Sequence, residues 1–224
     1  MAHSPIQNRN IGVAKRNFGK NNHLTAPGEW LHAGRLFDPV KTDSSMSATG
    51  IRLLREHTLT SYSHALSLPD IENILAVVPS EDLSGIKWIT QIQPSHKQEL
   101  LGRLWASYYA EIKIGSTSGS MLVLYAIKPS YIIKWDSHLN PFYEQELQRL
   151  MNEGHTVTKE RRGYSITTTP ESARATQYRS LLHEIGHHVD RLRNPDSANK
   201  PYLEREKFAE HYVRRYGTYA GSHC

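Results

Sequence analysis

Apolar residues along this chain recur in blocks of two kinds. Leu181, Leu182, Ile185, Val189 and Leu192 keep the three- and four-residue spacing of one helical face. Leu203, Phe208, Ala209, Tyr212 and Val213 make the inward face of a second predicted helix over 202–213, after Pro201, a residue suited to a helix start. Upstream, Ser67 and Asp70 flank a helix start that runs to Val78 and stops before Pro79. Ser95 caps a predicted helix over 97–112 with Leu100, Leu101, Leu104, Trp105 and Tyr108 on its face. Asn140 and Pro141 open another, carrying Tyr143, Leu147, Leu150 and Met151. Strands are predicted at 87–92, 121–127, 131–135 and 164–169, the last closed by Pro170. The metal-motif helix described below starts near 171–175, and 51–57 is a short helix or strand. Residues 115–119 form a Gly/Ser loop with no Gly-Lys-Ser/Thr after it, so it is not a phosphate cradle.

This order predicts an α+β fold, a small mixed sheet packed on helices with the 181–192 helix beneath it. Strands 121–127 and 131–135 are the candidate edges along which an extended peptide could pair. Residues 1–50 are polar and irregular, with turns at Pro27-Gly28 and 42–45 and scattered anchors at Trp30, Leu31, Leu36 and Phe37. They read as an arm, and 51–224 as one domain.

Two histidines sit on a separate side of the 181–192 helix. His183 and His187 stand four apart in His-Glu-Ile-Gly-His. On a helix these positions lie nearly above one another, so both rings can aim a nitrogen at one metal ion. Glu184 lies about 100° round the helix, beside the pair. That suits a base acting on activated water better than a third ligand. Gly186 costs on the order of 1 kcal/mol against Ala in a helix, which predicts close approach of a neighbouring strand. His188 is expected at the surface or behind a ligand. The chain has 13 His, so the pair could also be ordinary helix residues, and the next helix carries the decision.

That next helix places Glu206 and Glu210 four apart on one face. A zinc site with two histidines needs a third protein ligand and keeps one position open. Glu206 fits as the ligand, and Glu210 can accept the spare N–H of a ligand histidine. Ala209 is small enough for the two helices to approach closely. The alternative is a solvated face of Glu–Lys and Glu–Arg pairs. Asp196 fits less well as a third ligand.

His183-Glu-Ile-Gly-His187, with Glu206-Lys-Phe-Ala-Glu210 on the following helix, resembles the gluzincin metallopeptidases. The run His-Glu-Ile-Gly-His-His-Val-Asp most resembles the group of the anthrax lethal factor catalytic domain and the Pro-Pro endopeptidases. The resemblance covers about the last 50 residues. It implies a zincin-like domain with His183, His187 and Glu206 as zinc ligands and Glu184 as general base. It also implies Glu210 behind the ligands and a structural Asp190. Two departures stand out. The step from His187 to Glu206 is shorter than in the lethal-factor group. The tyrosine that group carries seven residues before its ligand glutamate is here Asn199. The oxyanion-stabilising group is therefore open among Tyr202, Tyr212, Tyr216 and His211, with Tyr202 first. The metzincin continuation is excluded, because Asp190 and Arg193 stand where Gly and His are required.

Composition narrows the classes further. Hydrophobic residues make up 38% of the chain and no apolar run is long enough to span a bilayer. The first residues lack the apolar core of a secretory signal, so a cytoplasmic protein, or one exported by another route, is expected. The single cysteine, Cys224, excludes internal disulfides. A net charge of +5 is spread over small clusters without a basic stripe or interleaved aromatics, so nucleic-acid binding is not favoured. The leading expectation is zinc-dependent hydrolysis of peptide bonds in a protein substrate. Two alternatives are a regulatory metalloprotease of the phage-repressor-cleaving type and a non-catalytic zinc-stabilised module that binds nucleic acid or an acidic partner.

Overall fold

Side chains that alternate between two apolar faces build the larger sheet. In the computed structural model, which describes residues 42–94, 105–114, 116–128, 132–136 and 142–220, this sheet has five strands. They are β1 (Thr42–Met46), β2 (Arg52–Glu56), β3 (Ile86–Ile92), β4 (Ala106–Ile114) and β5 (Thr117–Tyr125). Their order is β1-β2-β3-β5-β4. β2, β3 and β5 run parallel, while β1 and β4 pair antiparallel at the two edges. Leu53, Ile89, Leu122 and Leu124 point to one face, and Leu54, Trp88, Val123 and Tyr125 to the other. Both faces are buried, as parallel strands require.

A second sheet, order β6-β8-β7, contains β6 (Ile132–Asp136), β7 (Thr156–Glu160) and β8 (Gly163–Thr167). Four helices complete the described chain: α1 (Leu68–Val77), α2 (Phe142–Asn152), α3 (Pro170–Arg193) and α4 (Tyr202–Ala220). The fold is mixed α/β, consistent with α+β. α1 lies in the crossover between the parallel strands β2 and β3 and opens with a reciprocal Ser67–Asp70 capping box. α3 opens the same way at Thr169 and Ser172, with Pro170 in its first turn. It packs on β4 and β5, and Leu181, Leu182, Ile185 and Val189 join the core under the sheet with Tyr212, Val213 and Tyr216 of α4.

Several expectations are corrected. The helix expected over 97–112 is strand β4 from Ala106 on; its earlier part, with Ser95, Leu100, Leu101 and Leu104, lies outside the described residues. Tyr108, Tyr109, Ile112 and Ile114 suit a strand, and a bulge between Tyr109 and Ile112 breaks the two-residue alternation that would have announced it. β5 lies between β3 and β4, so 121–127 is not an edge; the edge beside α3 is β4. β6 is an edge of the smaller sheet. The loop expected at 115–119 is shorter, because β5 begins at Thr117. Residues 42–45, expected as a turn in the arm, form most of β1, where pairing with β2 outweighs their turn-forming tendency. Residues 1–41 and Cys224 lie outside the described residues. The strand β7 had no predicted counterpart. Leu192 and Leu203, expected inward, are exposed.

Gly186 does mark a close approach, but by α4. A Cβ at this position would lie 2.9 Å from Ala209 Cα and 3.0 Å from Tyr212 Cβ. These are backbone and near-backbone atoms, so relief requires α4 to move. Gly186→Ala should therefore destabilise the protein by about 1–2 kcal/mol, overpacking outweighing the gain in helix propensity. Thermal unfolding should show a fall in Tm of roughly 2–8 °C; an unchanged or raised Tm would show that the helices separate freely.

Candidate metal centre

α3 and α4 meet at Gly186 and Ala209, and this contact brings their polar faces together. The rings of His183 and His187 lie 4.7 Å apart, nearly perpendicular. Glu206 on α4 reaches both: its Oε2 is 3.3 Å from His183 Nε2 and its Oε1 is 3.4 Å from His187 Nε2. One donor atom from each of the three residues lies within 4.8 Å of the others, close enough to hold one metal ion. Two imidazoles and a carboxylate are a donor set that suits zinc. Among the described residues no fourth His, Cys, Asp or Glu joins them. Asp196 is exposed in the short 3₁₀ turn Pro195–Asn199 and is not part of the group.

The electrostatics of the metal-free site follow from this packing. Burial disfavours a charged His183, but Glu206 and Glu210 outweigh it and raise its pKa to about 9. Burial likewise opposes the charge on Glu206, yet His183 and His187 hold its carboxyl down at about 2. Glu184 behaves differently. It is largely enclosed, and burial pushes its pKa up against the pull of His187 and His183.

Glu184 sits beside the three donors, as the helix geometry requires. The main-chain N–H of Tyr108 on β4 is within reach of its carboxylate and slightly favours the charged form. Trp105 accepts a hydrogen bond from Tyr125 N, so positions 105 and 107 face β5. By the antiparallel alternation, the N–H of Tyr108 then points to the open side of the edge.

Behind the site, charge alternates away from the ligands. His183 Nδ1 lies 3.2 Å from Glu210 Oε1, at an angle too bent for a straight hydrogen bond. Arg179 Nη2 donates to the other oxygen of Glu210. Burial raises and Arg179 with His183 lowers the Glu210 carboxyl, to a net value of about 2. Arg179 Nε is 3.7 Å from Glu153, which also accepts two bonds from Arg149 Nη1 at 2.5 and 2.6 Å. Thr176 donates to Glu153 as well. Thr176, Arg179, His183 and His187 share one stripe of α3 at three- and four-residue steps.

Asp190 is buried and has no part in the metal group. Its Oδ1 accepts from Asn194 Nδ2 at 2.9 Å and Lys200 Nζ at 2.8 Å, which ties the end of α3 to the turn leading into α4.

Of the four candidate oxyanion donors, one is at the site. Tyr202, in the first turn of α4, bonds Glu206 and is half exposed; burial and Glu206 raise its hydroxyl to about 12, so it stays protonated. Tyr212 donates to buried Asp82 at 3.0 Å, and Tyr216 packs against Tyr212 in the core. His211 and Asn199 are exposed.

The sequence reading missed Arg179, Glu153 and the role of Tyr108. Arg179 had a local signal, since it precedes His183 by one helical turn. Tyr108 had none, because its stretch reads as helix. In comparison with known protein families, curated proteins and solved structures, the chain shows no significant match.

Two outcomes are expected here. Glu210→Gln should weaken zinc binding roughly 10- to 100-fold and Arg179→Gln about tenfold, measured by competition with a chromophoric chelator; equal affinities would show that these groups do not orient His183. His183 holds a proton at pH 7 in the metal-free protein, since its pKa is raised to about 9. Zinc needs that nitrogen's lone pair, so binding should release about one proton and tighten as pH rises toward 9. Calorimetry in buffers of different ionisation heat reads the proton count, and a count of zero would overturn the assignment.

Proposed function

We propose that this chain is a zinc-dependent endopeptidase of the zincin type, with His183, His187 and Glu206 as the ligands. The observation that carries the reading is the convergence of these three donors beside a largely enclosed carboxylate, Glu184, whose pKa burial raises. When bound, zinc supplies a Lewis acid and lowers the pKa of a coordinated water to about 7. Glu184 accepts a proton from the attacking water and delivers it to the leaving amine nitrogen. Its raised pKa suits both halves of that transfer. The Tyr202 hydroxyl, which donates to Glu206 in the metal-free site, turns to donate to the oxygen that gains charge as the carbonyl is attacked. Among the described residues β4 has no strand on its outer side, and an extended peptide would pair there with the main chain at Ala106 and the Tyr108 carbonyl.

A non-catalytic zinc module fits less well. A structural site is closed by a fourth protein ligand, and a carboxylate enclosed beside it would cost desolvation with no return.

Profiling of new N-termini in a proteome digest, with the native chain and with Glu184→Gln, tests the reading. The native protein should generate cleavages, and Glu184→Gln should keep its zinc while losing roughly 10²- to 10⁴-fold in rate. Undiminished cleavage by the zinc-loaded variant would remove Glu184 as the base.

A further inference from the structure

His188 follows a metal ligand, yet it points elsewhere. One residue along a helix turns the side chain by about 100°, and this rotation takes His188 away from the site toward β4. It is buried, with 4% of its surface exposed. Its Nε2 lies 2.8 Å from the Ser84 carbonyl oxygen. A carbonyl only accepts, so Nε2 carries the hydrogen. With the hydrogen on Nε2, the other ring nitrogen, Nδ1, faces the Tyr108 hydroxyl as an acceptor. The Tyr108 hydroxyl lies 3.2 Å from that Nδ1 and donates to it, with the two rings edge to face at 5.7 Å. Ser120 Oγ is farther, at 3.4 Å, and spends its own hydrogen on the Ala110 carbonyl at 2.9 Å.

Tyr108 thus has two ends. Its hydroxyl is held by His188, and its main-chain N–H faces Glu184 from the open edge of β4. Among the described residues β4 has no strand on that side, and a side chain from the metal helix holds it instead.

We propose that His188 is a positioning residue for Glu184. Pinned to Ser84, the ring fixes the Tyr108 side chain, which keeps the Tyr108 N–H at the Glu184 carboxylate and the β4 edge in place beside the metal ligands. The proposal rests on Glu184 being the base, but its structural half does not.

Four variants separate the bonds. Tyr108→Phe removes the hydroxyl and leaves the main chain. His188→Phe keeps a ring and loses both hydrogen bonds. His188→Asn places an acceptor where Nδ1 lies, and His188→Gln places a donor where Nε2 lies. The zinc-loaded proteins are compared by amide hydrogen exchange at Tyr108, zinc content and peptide kinetics. In Tyr108→Phe and His188→Phe, exchange at Tyr108 should accelerate roughly five- to tenfold, the loss of one hydrogen bond. Zinc content should hold, and kcat should fall roughly 10- to 100-fold with little change in KM. His188→Asn should recover more of both readouts than His188→Gln. Unchanged exchange in Tyr108→Phe overturns the proposal even if the His188 variants do not fold. Faster exchange with unchanged kcat overturns the positioning role. If the native protein cleaves no peptide, the peptidase reading fails, and Tyr108 exchange alone decides whether His188 holds the edge.

Discussion

The contact between Gly186 on α3 and Ala209 on α4 sets the geometry of everything around the candidate site. With no side chain at one position and a methyl at the other, the helix backbones come close enough for a glutamate of α4 to reach two imidazoles of α3. The distance is fixed by van der Waals contact rather than by the charges it serves. The same contact seals Leu182, Ile185, Tyr212 and Val213 into the core under the larger sheet. A glycine that weakens its own helix by about 1 kcal/mol is thereby offset by burial of apolar surface from both.

Close packing of charged groups has a desolvation cost, and the structure meets it by alternation. Arg149, Glu153, Arg179, Glu210 and His183 follow one another with opposite or complementary charge from the end of α2 to the metal group. Each carboxylate is flanked by a cation or a ring that can carry a proton, so none is enclosed alone. Glu184 stands outside this chain. A main-chain donor from β4 favours its charge slightly, and burial still raises its pKa.

The edge of the sheet joins the same problem from the other side. An unpaired edge invites pairing with other chains, and here α3 lies across it. Tyr108 and His188 couple strand to helix, while Arg191 pairs with Glu111 farther along the same strand. Part of the edge is thereby committed to the helix, and among the described residues no further strand pairs along it.

Local spacing alone determined what lies within one helix. The four-residue step from His183 to His187, the position of Glu184 beside them, the helix start at Ser67 and the second pair Glu206 and Glu210 are all consequences of a 3.6-residue period and short-range hydrogen bonding. They were legible because the partners stand three or four positions apart. Tertiary structure decided the rest, because the partners stand far apart in the chain. Tyr108 meets His188 across 80 positions, Arg179 meets Glu210 across 31, and Tyr212 is drawn to Asp82 across 130. Those distances settled which tyrosine remains at the site, turned an expected helix into the edge strand beside the base, and made the neighbour at Gly186 a helix where a strand was expected. No periodicity encodes such meetings; they follow from which surfaces bury one another when the elements pack.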